Sequence, residues 1–317
     1  MKKNVGVGAF GVLIGALIVS VISSGFTNGV SFGASAISSV DDQSGDKLVA
    51  LSTFTILADM VREVGGDKVE SISLTKPGAE IHGYETTPGD LVQASRAHIF
   101  FENGLNLELW AKKLRASLPD MPSVIVSEGV EVREIKEGSY EGKPNPHAWM
   151  SPKQGMIYIE NIRKALAEVD PDNADYYNAN AAAYIAKLEA VDTGLRESLA
   201  TLPENNRYLV TCEGAFAYLA TDYDLHEVYL WAINDESGGS PQDVARVIDL
   251  VRENNIPAVF CESTVAPKIQ QEVINATGAR LGGTLYVDSL SLADGPAPTY
   301  LKLLESSAEI IIGGLTK

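Results

Sequence analysis

The sequence predicts an α/β protein of two lobes, each built on a mostly parallel sheet, joined by one long rigid helix. From residue 47 to the C-terminus, apolar strand-like runs alternate with helical segments, and this alternation is typical of parallel sheets. Between the two alternating halves lies DPDNADYYNANAAAYIAKLEAVDTGLRESLATLP, an alanine-rich stretch with apolar residues at helical spacing and a single glycine. It predicts one helix of about 28 residues, well above the usual length of roughly 11–12. Two lobes joined in this way leave a cleft between them.

The composition fits two domains and disfavours some classes of function. The chain has 317 residues, and 45% of them are hydrophobic, which allows two domains of ordinary size or one large domain. Its formal net charge is -17 and its sequence pI is about 4.6. An acidic protein repels nucleic acid and anionic lipid surfaces, so neither is expected as a partner. The same charge raises the local concentration of cations, which suits a cation-binding protein, although a negative charge that only keeps the protein soluble is the alternative.

The N-terminus has the pattern of an export signal. Two lysines precede an uncharged run at residues 5–26, and the small-residue triplet ASA at 34–36 offers a cleavage site. The run also reaches the ~18 residues that can span a bilayer, so an uncleaved anchor is the alternative. We predict a signal peptide or N-terminal anchor at 1–36, a polar linker at 37–46, and a periplasmic or cell-surface protein. No cysteine lies there to carry a lipid.

The first lobe is predicted over residues 47–170. Thr87 or Asp90 caps its second helix, and a Ser-Pro pair starts its last one. Two segments rich in Gly and Pro, PGAEIHGYET and KEGSYEGKPNPHAW, are predicted loops. The predicted strands are KLVALST, VESISLT, AHIFFEN, SVIVSE and EVREI, and the predicted helices are ILADMVREVGG, TPGDLVQASRA, LELWAKKLRASL and SPKQGMIYIENIRKALAEVD.

The bridging helix is predicted over residues 171–202 and the second lobe over 203–317. Ser240, before a proline, caps the second helix of this lobe. The predicted strands are RYLVTCE, HEVYLWAI, IPAVFCE and ARLGGTLYV, and the predicted helices are GAFAYLATDYD, SPQDVARVIDLVRENN, PKIQQEVINATG and PTYLKLLESSAEIIIGGL. In parallel sheets the loops at the carboxyl ends of the strands build the ligand site, so polar residues at those ends are candidates for function.

Four such residues have the chemistry of metal ligands. His82 and His147 lie in the two loops rich in Gly and Pro, where functional residues concentrate. Glu213 and Asp288 end apolar runs, where a carboxylate is costly unless it has a partner. Taken singly, each has a structural alternative, such as a satisfied core histidine or a turn cap. Together, two imidazoles and two carboxylates are sufficient to bind one divalent cation.

The remaining histidines and the two cysteines indicate structural roles. His98 opens a strand, and His226 lies at a turn between a helix and a strand. Cys212 and Cys261 are the only cysteines, and each ends a strand-like run just before a glutamate. In an exported protein such a pair predicts a disulfide, and adjacent parallel strands would bring the two ends together. The bond would stabilise the fold by ~4 kcal/mol in the chain-entropy description.

Five ordered motifs within residues 47–317 resemble the metal-specific solute-binding proteins of ABC transporters, the family of manganese and zinc receptors. They are GAEIHGYETTPGDL, FENGLNLE, NPHAWMSP, CEGAFAYLA and LYVDSLS, and NPHAWMSP is the most specific. The resemblance implies that His82, His147, Glu213 and Asp288 are the ligands of one ion in the cleft. It also implies two α/β lobes bridged by a rigid helix, and a monomer that delivers its metal to a membrane permease.

The resemblance favours Mn²⁺ as the bound metal, with Zn²⁺ and Fe²⁺ as alternatives. Glu213 stands where the family's zinc receptors usually have a histidine, and the loop at 134–146 lacks the histidines of those receptors. Bidentate carboxylates would give the six-coordination that suits Mn²⁺ or Fe²⁺, whereas single-oxygen binding would suit Zn²⁺. The chain departs from the family in lacking the lipoprotein cysteine. Its pair Cys212 and Cys261 is similar to the cyanobacterial manganese-binding branch.

Two other classes of function fit the same four residues less well. A metalloenzyme would use them as a catalytic centre, but the sequence has no HExxH helix. Four protein ligands would also leave no open position for water or substrate. A surface adhesin with an incidental metal site would keep its metal uptake when His147 is replaced. The sequence therefore predicts a binding protein and not an enzyme.

Overall fold

A four-stranded parallel sheet with its helices forms the first half of the protein. The computed structural model describes residues 47–233, 239–266 and 268–316. Its elements before the long helix are β1 (Leu48–Ser52), α1 (Thr55–Gly65), β2 (Val69–Ser73), α2 (Pro88–Ala94), β3 (Ile99–Glu102), α3 (Ala111–Ala116), β4 (Ser123–Ile125) and α4 (Pro152–Val169). The strand order is β2-β1-β3-β4, and every pairing is parallel. The predicted α/β class is confirmed.

The second half also alternates strands and helices. Its elements are β5 (Tyr208–Glu213), α6 (Ala217–Asp222), β6 (His226–Trp231), α7 (Pro241–Glu253), β7 (Ala258–Glu262), α8 (Lys268–Thr277), β8 (Arg280–Leu285) and α9 (Tyr300–Leu315). The strands form two parallel two-stranded sheets, β5 with β6 and β7 with β8. Strand β5 lies beside β7, so the spatial order β6-β5-β7-β8 corresponds to the strand order of the first sheet.

The long helix α5 (Ala174–Ala200) joins the two halves, as the sequence predicts, and is 27 residues long. It packs against α1 and α4 of the first half and against α9 of the second. Its buried stripe follows the helical period and consists of Tyr177, Ala181, Tyr184, Leu188, Leu195 and Leu199. These side chains belong to one core cluster that extends from Ala50 to Leu315. Because the halves share this core, the predicted lobe boundaries stay a prediction.

The predicted helix starts are confirmed at two capping boxes. The Asp90 amide donates to the hydroxyl of Thr87, and the Thr87 amide donates to the carboxylate of Asp90. Ser240 and Asp243 make the same reciprocal pair at α7. Each box satisfies two backbone donors that a helix start would otherwise leave without a partner.

The structure departs from the sequence prediction in two places. The segment EVREI is not a strand, because among the described residues its one strand-like pairing is an isolated bridge from Glu134 to Pro144. It folds back on its own loop through hydrogen bonds between Ile135 and residues 142–143. Helix α3 is shorter than LELWAKKLRASL, since turns at 104–110 with left-handed backbone at Leu105 and Asn106 precede it. The predicted signal or anchor and the linker, at 1–46, lie outside the described residues. No described helix has the length and apolarity of a membrane span.

Candidate metal centre

The four candidate ligands come together where the two halves meet. His82 lies in the loop after β2, and His147 directly precedes a 3₁₀ turn, Ala148–Met150. Glu213 is the last residue of β5, and Asp288 follows the end of β8 by three residues. The two carboxylates therefore lie at the carboxyl edge of the second sheet, where parallel sheets bind ligands. Each half supplies two of the four side chains.

Their donor atoms are close enough to share one ion. The Nε2 atoms of the two histidines are 3.1 Å apart. Glu213 Oε1 lies 3.4 Å from His82 Nε2 and 3.9 Å from His147 Nε2. Asp288 Oδ1 lies 3.8 Å and 3.6 Å from the same two nitrogens. Atoms bound about 2.1 Å from a tetrahedral ion lie about 3.4 Å apart, so the distances from the two histidines to each other and to each carboxylate are of the size that one central cation requires. The donor atoms of His82, His147 and Asp288 all lie within 4.8 Å of one another.

The surroundings of His82 and Asp288 favour the protonation states that a cation requires. All four side chains are at most 6% exposed. Burial lowers the pKa of His82 to about 4, with the neighbouring charge of Asp288 opposing that shift and His147 adding to it. Burial alone would raise the pKa of Asp288, but the two histidines hold it below its usual value. At neutral pH the His82 ring is therefore unprotonated and Asp288 is an anion, which are the states that metal coordination demands.

Three residues outside the predicted set hold the candidate ligands in place. Asn145 Oδ1 lies 2.9 Å from Nδ1 of His147, and the Trp149 indole donates to the carbonyl of Val287, next to Asp288, at 2.9 Å. Glu80 accepts from the backbone amides of His82 and Gly83 at 2.6 and 2.7 Å. Asn145 and Trp149 belong to the NPHAWMSP motif, and this motif is the sequence signal that could have indicated their role. Glu80 had no comparable signal.

A cavity of about 1030 Å³ borders the site on one side. Its wall includes His82, Glu213 and Asp288, together with the acidic Glu80 and Glu272. His147 is not part of this wall and is fully buried behind it. The carboxylates in this wall attract a cation that enters the cavity through their charge.

Comparison with known proteins identifies the family. Residues 51–314 match the family described as zinc-uptake complex component A, periplasmic (ZnuA). The chain belongs to this family. Among its relatives, the iron-binding protein YfeA of Yersinia pestis is 52% identical over 84% of this chain and 86% of its own length. The manganese ABC transporter substrate-binding lipoprotein ScaA of Streptococcus gordonii is 33% identical over 87% of this chain and 91% of its own.

A solved structure agrees with this assignment. The Mn-bound periplasmic metal-binding protein from Candidatus Liberibacter asiaticus superposes with a TM-score of 0.77 and 37% identity, covering 85% of this chain and all of that one. The resemblance in fold and the predicted class are thus confirmed. The chain is a metal-binding substrate-binding protein of the ABC-transporter class, whose members serve transport and are not enzymes.

The other acidic residue at this sheet edge, Glu262, is not one of the four. It ends β7 as Glu213 ends β5, and burial raises its pKa to about 8, with a further contribution from the charge of Asp288. It therefore carries a proton at neutral pH and is a poor cation ligand. Its neighbours Cys212 and Cys261 bond to each other, so their sulfurs are not available to a metal.

The predicted disulfide is present and lies directly under the site. Cys212 on β5 bonds to Cys261 on β7, with their Cα atoms 5.1 Å apart. Within the described chain, the ladder hydrogen bonds of β5 go to β6 and those of β7 go to β8, so the disulfide is a covalent connection between the two pairs. Glu213 is the next residue after Cys212, and its backbone is therefore anchored by this bond.

Replacing both cysteines with serine is expected to weaken metal retention and to lower stability by about 2–4 kcal/mol. The bond restricts both the unfolded chain and the backbone that carries Glu213, and the variant loses both restraints. Metal dissociation rates and urea unfolding of C212S/C261S check this, with reduced wild type as the matched sample. Unchanged metal affinity in the double variant would show that the bond does not position Glu213.

Proposed function

We propose that this protein captures Mn²⁺ between its two halves and delivers it to the membrane permease of an ABC transporter. The proposed ligands are His82, His147, Glu213 and Asp288. The observation that carries the proposal is that the two histidine Nε2 atoms lie 3.1 Å from each other and 3.4–3.9 Å from an oxygen of each carboxylate, in a buried site. The receptor acts as an exported monomer, outside the cytoplasmic membrane where the permease can be reached.

The donor set supports Mn²⁺ and keeps Fe²⁺ as the second candidate. Two imidazoles and two carboxylates allow six-coordination when both carboxylates bind through two oxygens, and Mn²⁺ and Fe²⁺ accept that number. The described loop at 134–146 has no histidine that could recruit Zn²⁺. Fe²⁺ is favoured by the 52% identity to a relative named for iron binding. Zn²⁺ binds most N/O sites more tightly than Mn²⁺, so discrimination against it has to come from geometry and release.

Capture requires only local motion. The two halves share one core, and α5 packs against both, so a large rotation of one half would disrupt that core. We propose that loops around the cavity move when the metal binds, while the sheets stay in place. Crystals of the metal-free and Mn²⁺-loaded protein test this, and a rotation of whole halves between them would exclude it.

The identity of the metal is tested by elemental analysis of protein purified from its own compartment, followed by competition among Mn²⁺, Fe²⁺ and Zn²⁺. We expect one equivalent of Mn²⁺ per chain. Glu213→His is the matched variant, because it replaces two carboxylate oxygens by one nitrogen and should shift preference toward Zn²⁺. If the native protein contains Fe²⁺ or Zn²⁺ instead, that metal is the cargo in place of Mn²⁺. If it contains no transition metal, the proposed function is refuted.

A further inference from the structure

The side chain of Asn145 contacts both halves of the metal site. Its Oδ1 accepts the backbone N–H of His147 at 3.1 Å and lies 2.9 Å from Nδ1 of that residue. Its Nδ2 donates to the carbonyl oxygen of Gly214 at 2.6 Å. Gly214 directly follows Glu213. One buried amide therefore connects the loop of a first-half ligand to the backbone beside a second-half ligand.

The hydrogen bonds of Asn145 also determine the state of the His147 ring. A backbone N–H can only donate, so the atom facing the His147 amide is the Asn145 oxygen. That oxygen then accepts the Nδ1 proton of His147, which leaves the ring's lone pair on Nε2. Nε2 is the atom that lies near Glu213 and Asp288. Asn145 thus selects the tautomer that can bind a cation there.

The backbone of Asn145 is fixed as firmly as its side chain. Its amide donates to the carbonyl of Arg133 at 2.8 Å, and its carbonyl accepts the hydroxyl of Tyr218 at 2.8 Å. Tyr218 lies on α6 in the second half, and its oxygen also accepts the Arg133 amide. Asn145 cannot rotate or shift without breaking a buried hydrogen bond, which is costly when no water replaces it.

We propose that Asn145 is a positioning residue that sets the separation of His147 and Glu213 and thereby the time for which the metal is retained. The proposal rests on the function proposed above. Gly214 is itself held to β6, because its amide donates to the carbonyls of Trp231 and Ala232 at 3.0 Å. Movement of the strand end that carries Glu213 must therefore either break the amide–carbonyl bond to Asn145 or carry the His147 loop with it.

Asn145→Asp separates the two roles of this side chain. It keeps an oxygen beside the His147 ring but places a second oxygen against the Gly214 carbonyl, which repels it. We expect the dissociation rate of Mn²⁺ to rise by about 10–100-fold, the range for residues that orient a metal ligand. The EPR spectrum of the bound Mn²⁺ should change as well. A merely structural role would lower the melting temperature of the metal-free protein and leave both of these properties of the folded, loaded protein unchanged.

The control is Asn206→Asp, which breaks a similar amide–carbonyl bond, to Leu315 at 2.8 Å, and involves none of the proposed ligands. It should retain Mn²⁺ as the wild type does. Tyr218→Phe is the second variant, and it also serves if Asn145→Asp does not fold. It should raise the dissociation rate of Mn²⁺ as well, by a smaller factor than Asn145→Asp.

If Asn145→Asp releases Mn²⁺ at the wild-type rate, the inference is overturned and the proposed function stays intact. If Asn145→Asp does not fold, a wild-type release rate in Tyr218→Phe has the same consequence. Wild-type protein that retains neither Mn²⁺, Fe²⁺ nor Zn²⁺ would refute the proposed function first, and with it the role of Asn145.

Discussion

Replacing His147 with alanine is expected to weaken Mn²⁺ binding by more than about 100-fold, the upper end of the loss for a residue that only orients a ligand. The side chain is fully buried, and its Nε2 lies within 3.9 Å of the other three donor atoms. Alanine removes one of the four proposed donors, so an ion at this position would keep only three protein side chains. Isothermal titration with Mn²⁺ measures the loss.

The matched control is His226→Ala. His226 is the exposed first residue of β6, where its ring lies 3.2 Å from Glu204 at the surface. The same substitution there should leave Mn²⁺ affinity unchanged. If His147→Ala binds Mn²⁺ as tightly as the wild type, the four residues are not the site, and a surface protein with an incidental metal becomes the better interpretation.

Replacing Trp149 with alanine is expected to lower the free energy of unfolding by about 3–5 kcal/mol, the usual cost of deleting a large buried ring. Trp149 is completely buried and packs edge-on against Phe54, with ring centroids 5.0 Å apart. Its indole donates to the carbonyl of Val287, and its own carbonyl accepts the hydroxyl of Tyr300 at 2.6 Å. It therefore joins the first half to two separate segments of the second. Urea unfolding of the metal-free protein measures the effect.

One further variant separates packing from hydrogen bonding at Trp149, and a second, at an exposed position, is the control. Trp149→Phe keeps most of the ring but leaves the Val287 carbonyl without its donor, at an expected cost of about 1–3 kcal/mol. Leu292→Ala removes an apolar side chain from the same loop as Asp288, yet Leu292 is 67% exposed. It should change stability by no more than about 0.5 kcal/mol. Equal losses in Trp149→Ala and Leu292→Ala would contradict the role assigned to Trp149.

Local signals in the sequence were sufficient for most of the fold. The capping boxes at Thr87 and Ser240 can be recognised in the sequence, because their hydrogen bonds join residues within one four-residue segment. The segment EVREI has the alternation of a strand, but a strand forms only if a partner is adjacent, and the partner is a property of the tertiary fold. Helix α3 was shortened for a related reason, since the turn before it depends on the backbone conformations of Leu105 and Asn106.

The candidate metal site also has a part that the sequence predicts and a part that only the tertiary structure shows. The four candidate ligands are recognisable because each stands in a short motif that can be read directly. The contacts that hold these residues cannot be recognised from the sequence, because their partners are far apart in it. Asn145 and Gly214 are separated by 69 positions, and Trp149 and Val287 by 138. Such pairs depend on how the two halves are placed against each other. Sequence patterns indicate which residues are suited to bind metal, whereas the tertiary structure determines their separation.

The shared core connects metal supply to the lifetime of the protein. Because one set of packed side chains extends through both halves, loss of either half exposes the other, and the two should unfold together. A ligand at their junction then protects the entire chain: an ion at 1,000 times its dissociation constant adds about 4 kcal/mol to the free energy of unfolding. Proteases outside the cytoplasm degrade chains that open, so they would remove the empty receptor faster than the loaded one. The amount of receptor would then follow the amount of metal without any change in its synthesis.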